Sequence, residues 1–157
     1  MPDYPNFDRI LDDWSSVVSR PSQDVVNESL HEEFPELEEF LRTATLVEVS
    51  KCSVDDFGVI GGAIVWLTDD QFLWLLPVLV LLGRLSEDSV YAGLVISELI
   101  ERIPRSREWP RIKKQLSSET LQWLLSLSEK CVSLGWEDER RITKRGDACK
   151  TIFQENG

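Results

Sequence analysis

The sequence predicts an all-α, single-domain bundle of about six to eight helices around a buried apolar central helix, and three observations predict it. Apolar residues recur at helical spacing in several windows, capping signals stand at the starts of those windows, and only one run is rich in β-branched residues, so no partner strand is offered to it. With 157 residues, 42% hydrophobic and 29% charged, the chain has the balance of a globular domain. A domain of this size hides roughly 70% of the surface that its unfolded chain exposes. No internal repeat, low-complexity tract or Gly/Ser-rich linker divides it, so residues 1–157 are read as one domain.

Phe7, Ile10, Leu11, Trp14, Val17 and Val18 fall at helical spacing, with Asp8, Asp12, Asp13 and Ser16 largely opposite, which predicts an amphipathic first helix ended by Pro21. A second helix is expected over about 24–33 with Val25, Val26 and Leu30 as its buried side, and Pro35 suits the first turn of a third that ends near Arg42. Thr43–Ser50 is expected to be an extended connection. Ser53, followed by Asp55 and Asp56, caps a further helix, and Gly61 and Gly62 weaken the run 57–67 while permitting close packing.

Thr68-Asp69-Asp70-Gln71 is a capping box, in which the Thr68 hydroxyl accepts from the Gln71 amide, the Gln71 side chain reaches back, and two carboxylates face the positive helix end. The apolar run Phe72–Leu82 that follows spans roughly 16 Å as a helix, against about 30 Å for a bilayer core, so it reads as a buried central helix and not a membrane span. Pro77 inside it removes one backbone hydrogen bond and bends the axis. Ser86 is expected to open the next helix with Glu87 and Asp88 in its first turn, its apolar side being Val90, Tyr91, Leu94, Val95 and Ile100, until Pro104 stops it. Ser117 caps a long helix, with Leu116 and Leu121 as its hydrophobic staple and Gly135 at its end. Beyond Trp136 the chain is mostly charged, and Ile142, Ile152 and Phe153 are the expected anchors of a terminal helix or ordered tail.

The same residues exclude most chemistry. Hydrolytic triads, cysteine-protease dyads and most zinc sites each need one or more well-placed histidines, so a single one, His31, narrows the options sharply, and His31 reads as a surface or half-buried side chain. The adjacent pairs Asp12-Asp13, Glu32-Glu33, Glu38-Glu39, Asp55-Asp56 and Asp69-Asp70 point in different directions on a helix and read as solvated faces or first-turn charges, without the spacing of a calcium loop. Gly58-Val-Ile-Gly61-Gly62 lacks the spacing of a phosphate loop. Cys52, Cys131 and Cys149 are odd in number and form no close pair, which points to a reduced compartment, and the first residues resemble neither a secretory signal nor an organellar presequence. The expectation is a cytoplasmic protein that is not an enzyme, has no catalytic residues, and needs no metal or cofactor.

Charge is what remains. The net charge of −11 lies mainly in residues 1–40, which carry 11 acidic and 2 basic groups, whereas residues 101–157 carry 9 and 12. Asp12, Asp13, Asp24, Glu28, Glu32, Glu33, Glu36 and Glu39 are therefore expected to form an acidic face that steers a basic protein partner, with Trp14, Trp109 and Trp136 either joining as anchors or buried in the core. Such a charge disfavours direct contact with nucleic acid or an anionic membrane. The basic stretch Arg105–Lys114 is expected to be an internal or intersubunit counter-charge to the acidic N-terminal third, in a monomer or weak homodimer.

The stretch Trp66-Leu-Thr-Asp-Asp-Gln-Phe-Leu-Trp-Leu-Leu-Pro77, with the capped helix near LSSETLQWLLSLSE, resembles a group of small bacterial helical proteins over about residues 55–134. In size, acidity and helical class the chain is also similar to the immunity proteins of bacterial polymorphic-toxin systems, including contact-dependent growth inhibition. That resemblance implies an inhibitor that neutralises a cognate toxin, often a basic nuclease, by covering an essential surface. The alternative is a regulatory or adaptor subunit that works by protein–protein contact without catalysis, and a third reading is an enzyme that uses carboxylates.

Overall fold

The computed structural model describes residues 6–58, 62–86 and 88–155, and among them the only regular secondary structure is helical. Ten α-helices follow in order: α1 (Phe7–Val17), α2 (Glu28–Glu33), α3 (Pro35–Thr43), α4 (Leu46–Val49), α5 (Val54–Phe57), α6 (Asp69–Leu85), α7 (Ser89–Arg102), α8 (Trp109–Gln115), α9 (Ser118–Gly135) and α10 (Glu139–Phe153), with a 3₁₀ turn at Ala63–Trp66. The excess over six to eight comes from α4 and α5, which are single turns.

Helix α6 is the centre, with every residue from Gln71 to Gly83 buried. Its start is the one expected: the Thr68 hydroxyl accepts from the Gln71 amide at 3.1 Å and Gln71 Oε1 accepts from the Thr68 amide at 3.0 Å. Pro77 stands inside a continuous helix, and without an N–H it leaves the Leu73 carbonyl short of its usual donor. Helices α7 and α9 pack on α6 and on each other, and α9 also meets α1 and α10. At the α7–α9 crossing Gly93 and Gly135 meet, and a Cβ built on Gly135 would lie 2.8 Å from the Gly93 Cα. The terminal helix docks through Cys149, Ile152 and Phe153, all buried, with Ile142 partly buried. No helix among the described residues is long and apolar enough to cross a membrane.

Four boundaries differ from expectation. The second helix begins at Glu28, because Asn27 takes the cap: its Oδ1 accepts from the Leu30 amide while its Nδ2 donates to the Trp66 carbonyl at 2.8 Å and to Gln71 Oε1 at 2.7 Å. Val25 and Val26 precede the cap and are 67% and 40% exposed, so they are not a buried side. Thr43–Ser50 is not extended, since Thr45 and Glu48 form a capping box and wind α4. The run 57–67 is not one helix: α5 ends at Phe57, Gly58 lies under the Tyr91 ring so closely that a Cβ would sit 1.8 Å from it, and among the described residues only the 3₁₀ turn follows. Gly61 lies outside the described residues. The helix expected from Ser86 starts at Ser89, where the Asp88 carboxylate accepts from the Val90 amide at 2.9 Å, and the Ser86 hydroxyl accepts from the Asp88 amide instead. Glu87, expected in its first turn, lies outside the described residues.

Candidate functional site

Helices α2 and α3 meet at Phe34, whose amide donates to the Leu30 carbonyl and whose carbonyl accepts from the Glu38 amide, so one residue closes the first helix and opens the second. Pro35 takes the first position of α3, where its missing N–H costs nothing. The two helices bury Leu30 and Leu41 against the core. Their other sides carry the carboxylates.

Charge on this helix pair is sorted by depth. Glu38 is 0% exposed, and both its oxygens accept from Arg42 Nε, at 3.0 and 2.8 Å, while His31 Nδ1 lies 3.4 Å from Oε1. Reading Glu38 as a solvated neighbour of Glu39 is therefore wrong: helical rotation sends the one inward and the other out. The consequence reaches the surface. Arg42 and His31 are the only basic side chains between residues 28 and 43, and both are turned towards Glu38, so the outward carboxylates of α2 and α3 have no cation from their own helices.

Between this pair and α5 runs a groove of about 620 Å³. Glu33 and Glu36 stand on one wall, Asp55 and Asp56 with Cys52 on the other, and the partly buried rings of Phe34 and Phe40 with Leu37 form the floor. No Lys, Arg or His lines it. Asp56 is held in place by the Ser53 amide at 2.8 Å and the Ser53 hydroxyl at 3.1 Å. Burial, aided by the Asp56 charge, pushes the Cys52 thiol up to about 11, so it stays protonated at neutral pH and is a poor nucleophile.

The expected site residues divide. Glu33 and Glu36 come together in the groove, and Glu28, Glu32 and Glu39 lie exposed on the same two helices, with Asp24 exposed just before them. Asp12 is exposed on α1. Asp13 is not free: its Oδ2 accepts from the Ser117 amide and hydroxyl at 3.0 Å each and from the Thr120 hydroxyl at 2.6 Å, which makes it part of the cap of α9. Of the tryptophans, Trp14 donates Nε1–H to the Trp74 carbonyl at 3.1 Å deep in the core and Trp109 packs edge-on against Phe153, so neither is a surface anchor. Trp136 is partly buried with Arg145 over its ring. Phe34, Phe40, Asp55 and Asp56 were not among the expected residues; the one available signal was the Asp55-Asp56 pair, but the turn that returns it to α3 lies in a stretch that reads as extended.

The basic stretch does not neutralise this surface. Arg105 and Arg102 approach Asp69 at 3.8 and 3.7 Å, Arg111 approaches Glu108 at 3.9 Å, and among the described residues no ion pair joins 105–114 to the N-terminal third. None engages Asp12, Asp24, Glu28, Glu32, Glu33, Glu36 or Glu39 either. No group of three or more His, Cys, Asp or Glu side chains among the described residues is placed to hold a metal ion. What the arrangement offers chemically is a negative rim over an apolar floor, suited to long cationic side chains whose stems lie on Phe34 and Phe40 and whose heads meet the carboxylates. Compared with protein families, with curated proteins and with solved structures, the chain matches none of them.

Proposed function

We propose that this chain is a stoichiometric inhibitor of the immunity type, which binds a cationic protein domain, a toxin nuclease, through the acidic groove between α3 and α5 and the carboxylates beside it. The observation that carries the reading is the groove itself: four carboxylates over a floor of Phe34, Leu37 and Phe40 with no basic side chain in its lining. Crowded like charges destabilise a fold slightly, whereas a negative field raises the rate of capture of a positive partner by about tenfold to a thousandfold. Steering brings the partner in and the apolar floor holds it, so the charges govern association and the rings govern dissociation. A basic nuclease needs its cationic surface to grip nucleic acid, and covering that surface blocks it.

The test uses the intact chain and a cationic nuclease domain, sought first in the reading frames that flank its gene. Binding kinetics and nuclease inhibition are measured for the wild type, for the reversal E33K/E36K/D55K/D56K, and for a control reversal, E101K/E137K, at exposed carboxylates outside the groove. The groove variant is expected to associate at least about tenfold more slowly, with the difference shrinking at high salt, while the control stays near wild type. Equal rates for all three proteins, with helicity unchanged, rule out the groove. Tight binding to a partner whose activity is unaffected points instead to an adaptor subunit.

A further inference from the structure

Helix α8, the start of α9 and the end of α10 line a second, half-open cavity, of about 540 Å³, within the range of about 300–1,000 Å³ typical of small-ligand sites. No residue of α2, α3 or α5 lines it. Its walls are apolar, with Trp109, Pro110, Leu121 and Ile152 among them, and the ammonium groups of Lys113 and Lys114 stand at its rim. Neither lysine is in an ion pair among the described residues. Lys113 is partly buried, its Nζ reaches the Thr151 carbonyl only at 3.4 Å, and burial holds its ammonium below the ordinary lysine value. Glu155 also lines the cavity, but its carboxylate accepts from the Ser118 hydroxyl in the first turn of α9. The cavity thus combines an apolar body with two ammonium groups, neither of them in an ion pair among the described residues, and a single carboxylate, that of Glu155, which is engaged with Ser118.

We infer that this cavity binds an amphiphilic monocarboxylate, with its apolar body against Trp109, Leu121 and Ile152 and its carboxylate at Lys113 and Lys114. A neutral guest brings the two ammonium groups no added counter-charge, and a cationic one is repelled by them. An inorganic anion has no body to fill the apolar space. A medium-chain fatty acid and the apolar C-terminal residue of a peptide share the required chemistry.

Decanoate is titrated into the full-length chain by calorimetry and tryptophan fluorescence, beside decanol, decylammonium and a short peptide ending in a free Leu carboxylate. Decanoate or the peptide is expected to bind, with decanol and decylammonium about tenfold weaker or worse, and the tighter of the two carboxylates identifies the source. K113M, which keeps the apolar stem and loses the charge, is expected to weaken carboxylate binding about tenfold, and L121W to abolish it by filling the space. Failure of both carboxylates to bind, equal binding of decylammonium, or binding unchanged in K113M overturns the inference. K113M decides the matter if L121W does not fold. Because the lining is separate from the acidic groove, the result is independent of the proposed inhibitor function.

Discussion

The Asp13 carboxylate accepts both the amide and the hydroxyl of Ser117, at 3.0 Å each, so a residue of the first helix caps the start of α9 across 104 positions of sequence. Ser117 in turn accepts from the Thr120 amide at 3.1 Å, and Thr120 donates to the same Asp13 oxygen. The acidic first helix is thereby tied to the longest helix of the fold, and one of its carboxylates is withdrawn from the surface.

This tie predicts a pH dependence. Partial burial pushes the Asp13 carboxyl up, but the hydrogen bonds from Thr120 and from the amide and hydroxyl of Ser117 outweigh it and hold the group below its ordinary value of 3.8. A carboxylate depressed on folding contributes stability above its unfolded value and loses it as pH falls through the folded one. D13N is expected to cost about 1 kcal/mol at neutral pH. Thermal unfolding of both proteins checks this: the gap should be full at neutral pH and close only below about pH 4. A gap independent of pH down to full acid unfolding would contradict it.

Glu38 predicts a contrast between neighbours. E38Q leaves the partly buried Arg42, 27% exposed at its side chain, without its carboxylate, and is expected to destabilise by about 2 kcal/mol, less than a fully buried pair because Arg42 and His31 retain solvent. E39Q, at an exposed position, should stay within about 0.5 kcal/mol. Denaturant melts of the two variants read the difference directly.

The glycines predict a second contrast. G135A forces a Cβ to 2.8 Å from the Gly93 backbone and should cost about 2 kcal/mol, whereas a Cβ on Gly93 meets nothing nearer than 3.7 Å and G93A should be near neutral. Gly146 in α10 has nothing within 4 Å of an added Cβ, so G146A is expected to stabilise by about 0.5–1 kcal/mol through helix propensity. Unfolding midpoints should rank the variants G146A, G93A, G135A from most to least stable.

The thiols predict resistance to labelling. Burial pushes Cys131 and Cys149 up to about 12 each, helped by the charge of Cys149 on the first and of Glu129 on the second. At mildly alkaline pH an aromatic disulfide reagent should leave both untouched in the folded protein and react with them at the rate of unfolding, with Cys52 slow but accessible. Rapid titration of all three thiols without denaturant would show the packing of α9 and α10 to be loose.

How much of this was legible beforehand depends on the reach of each interaction. The starts of α3, α6 and α9 can be read from Pro35, Thr68 and Ser117 because a cap and its acceptors lie within three or four residues. The all-α class follows from apolar spacing for the same local reason. The ends that were misplaced, at Glu28 and Ser89, went to Asn27 and Asp88, and in the first case the choice was made by Trp66 and Gln71, some 40 residues away.

By itself, then, the sequence determined that the chain is helical, that Phe72–Leu82 is its dry centre, and that its first quarter is acidic, since composition and near-neighbour hydrogen bonding suffice for each. Only the tertiary structure decided which acids are available. It turned Glu38 inward onto Arg42, spent Asp13 on Ser117, and folded Asp55 and Asp56 back across from Glu33 and Glu36. The physical reason is that a carboxylate's role depends on which donors and cations reach it within about 4 Å, and those come from elements that the order of residues does not place side by side.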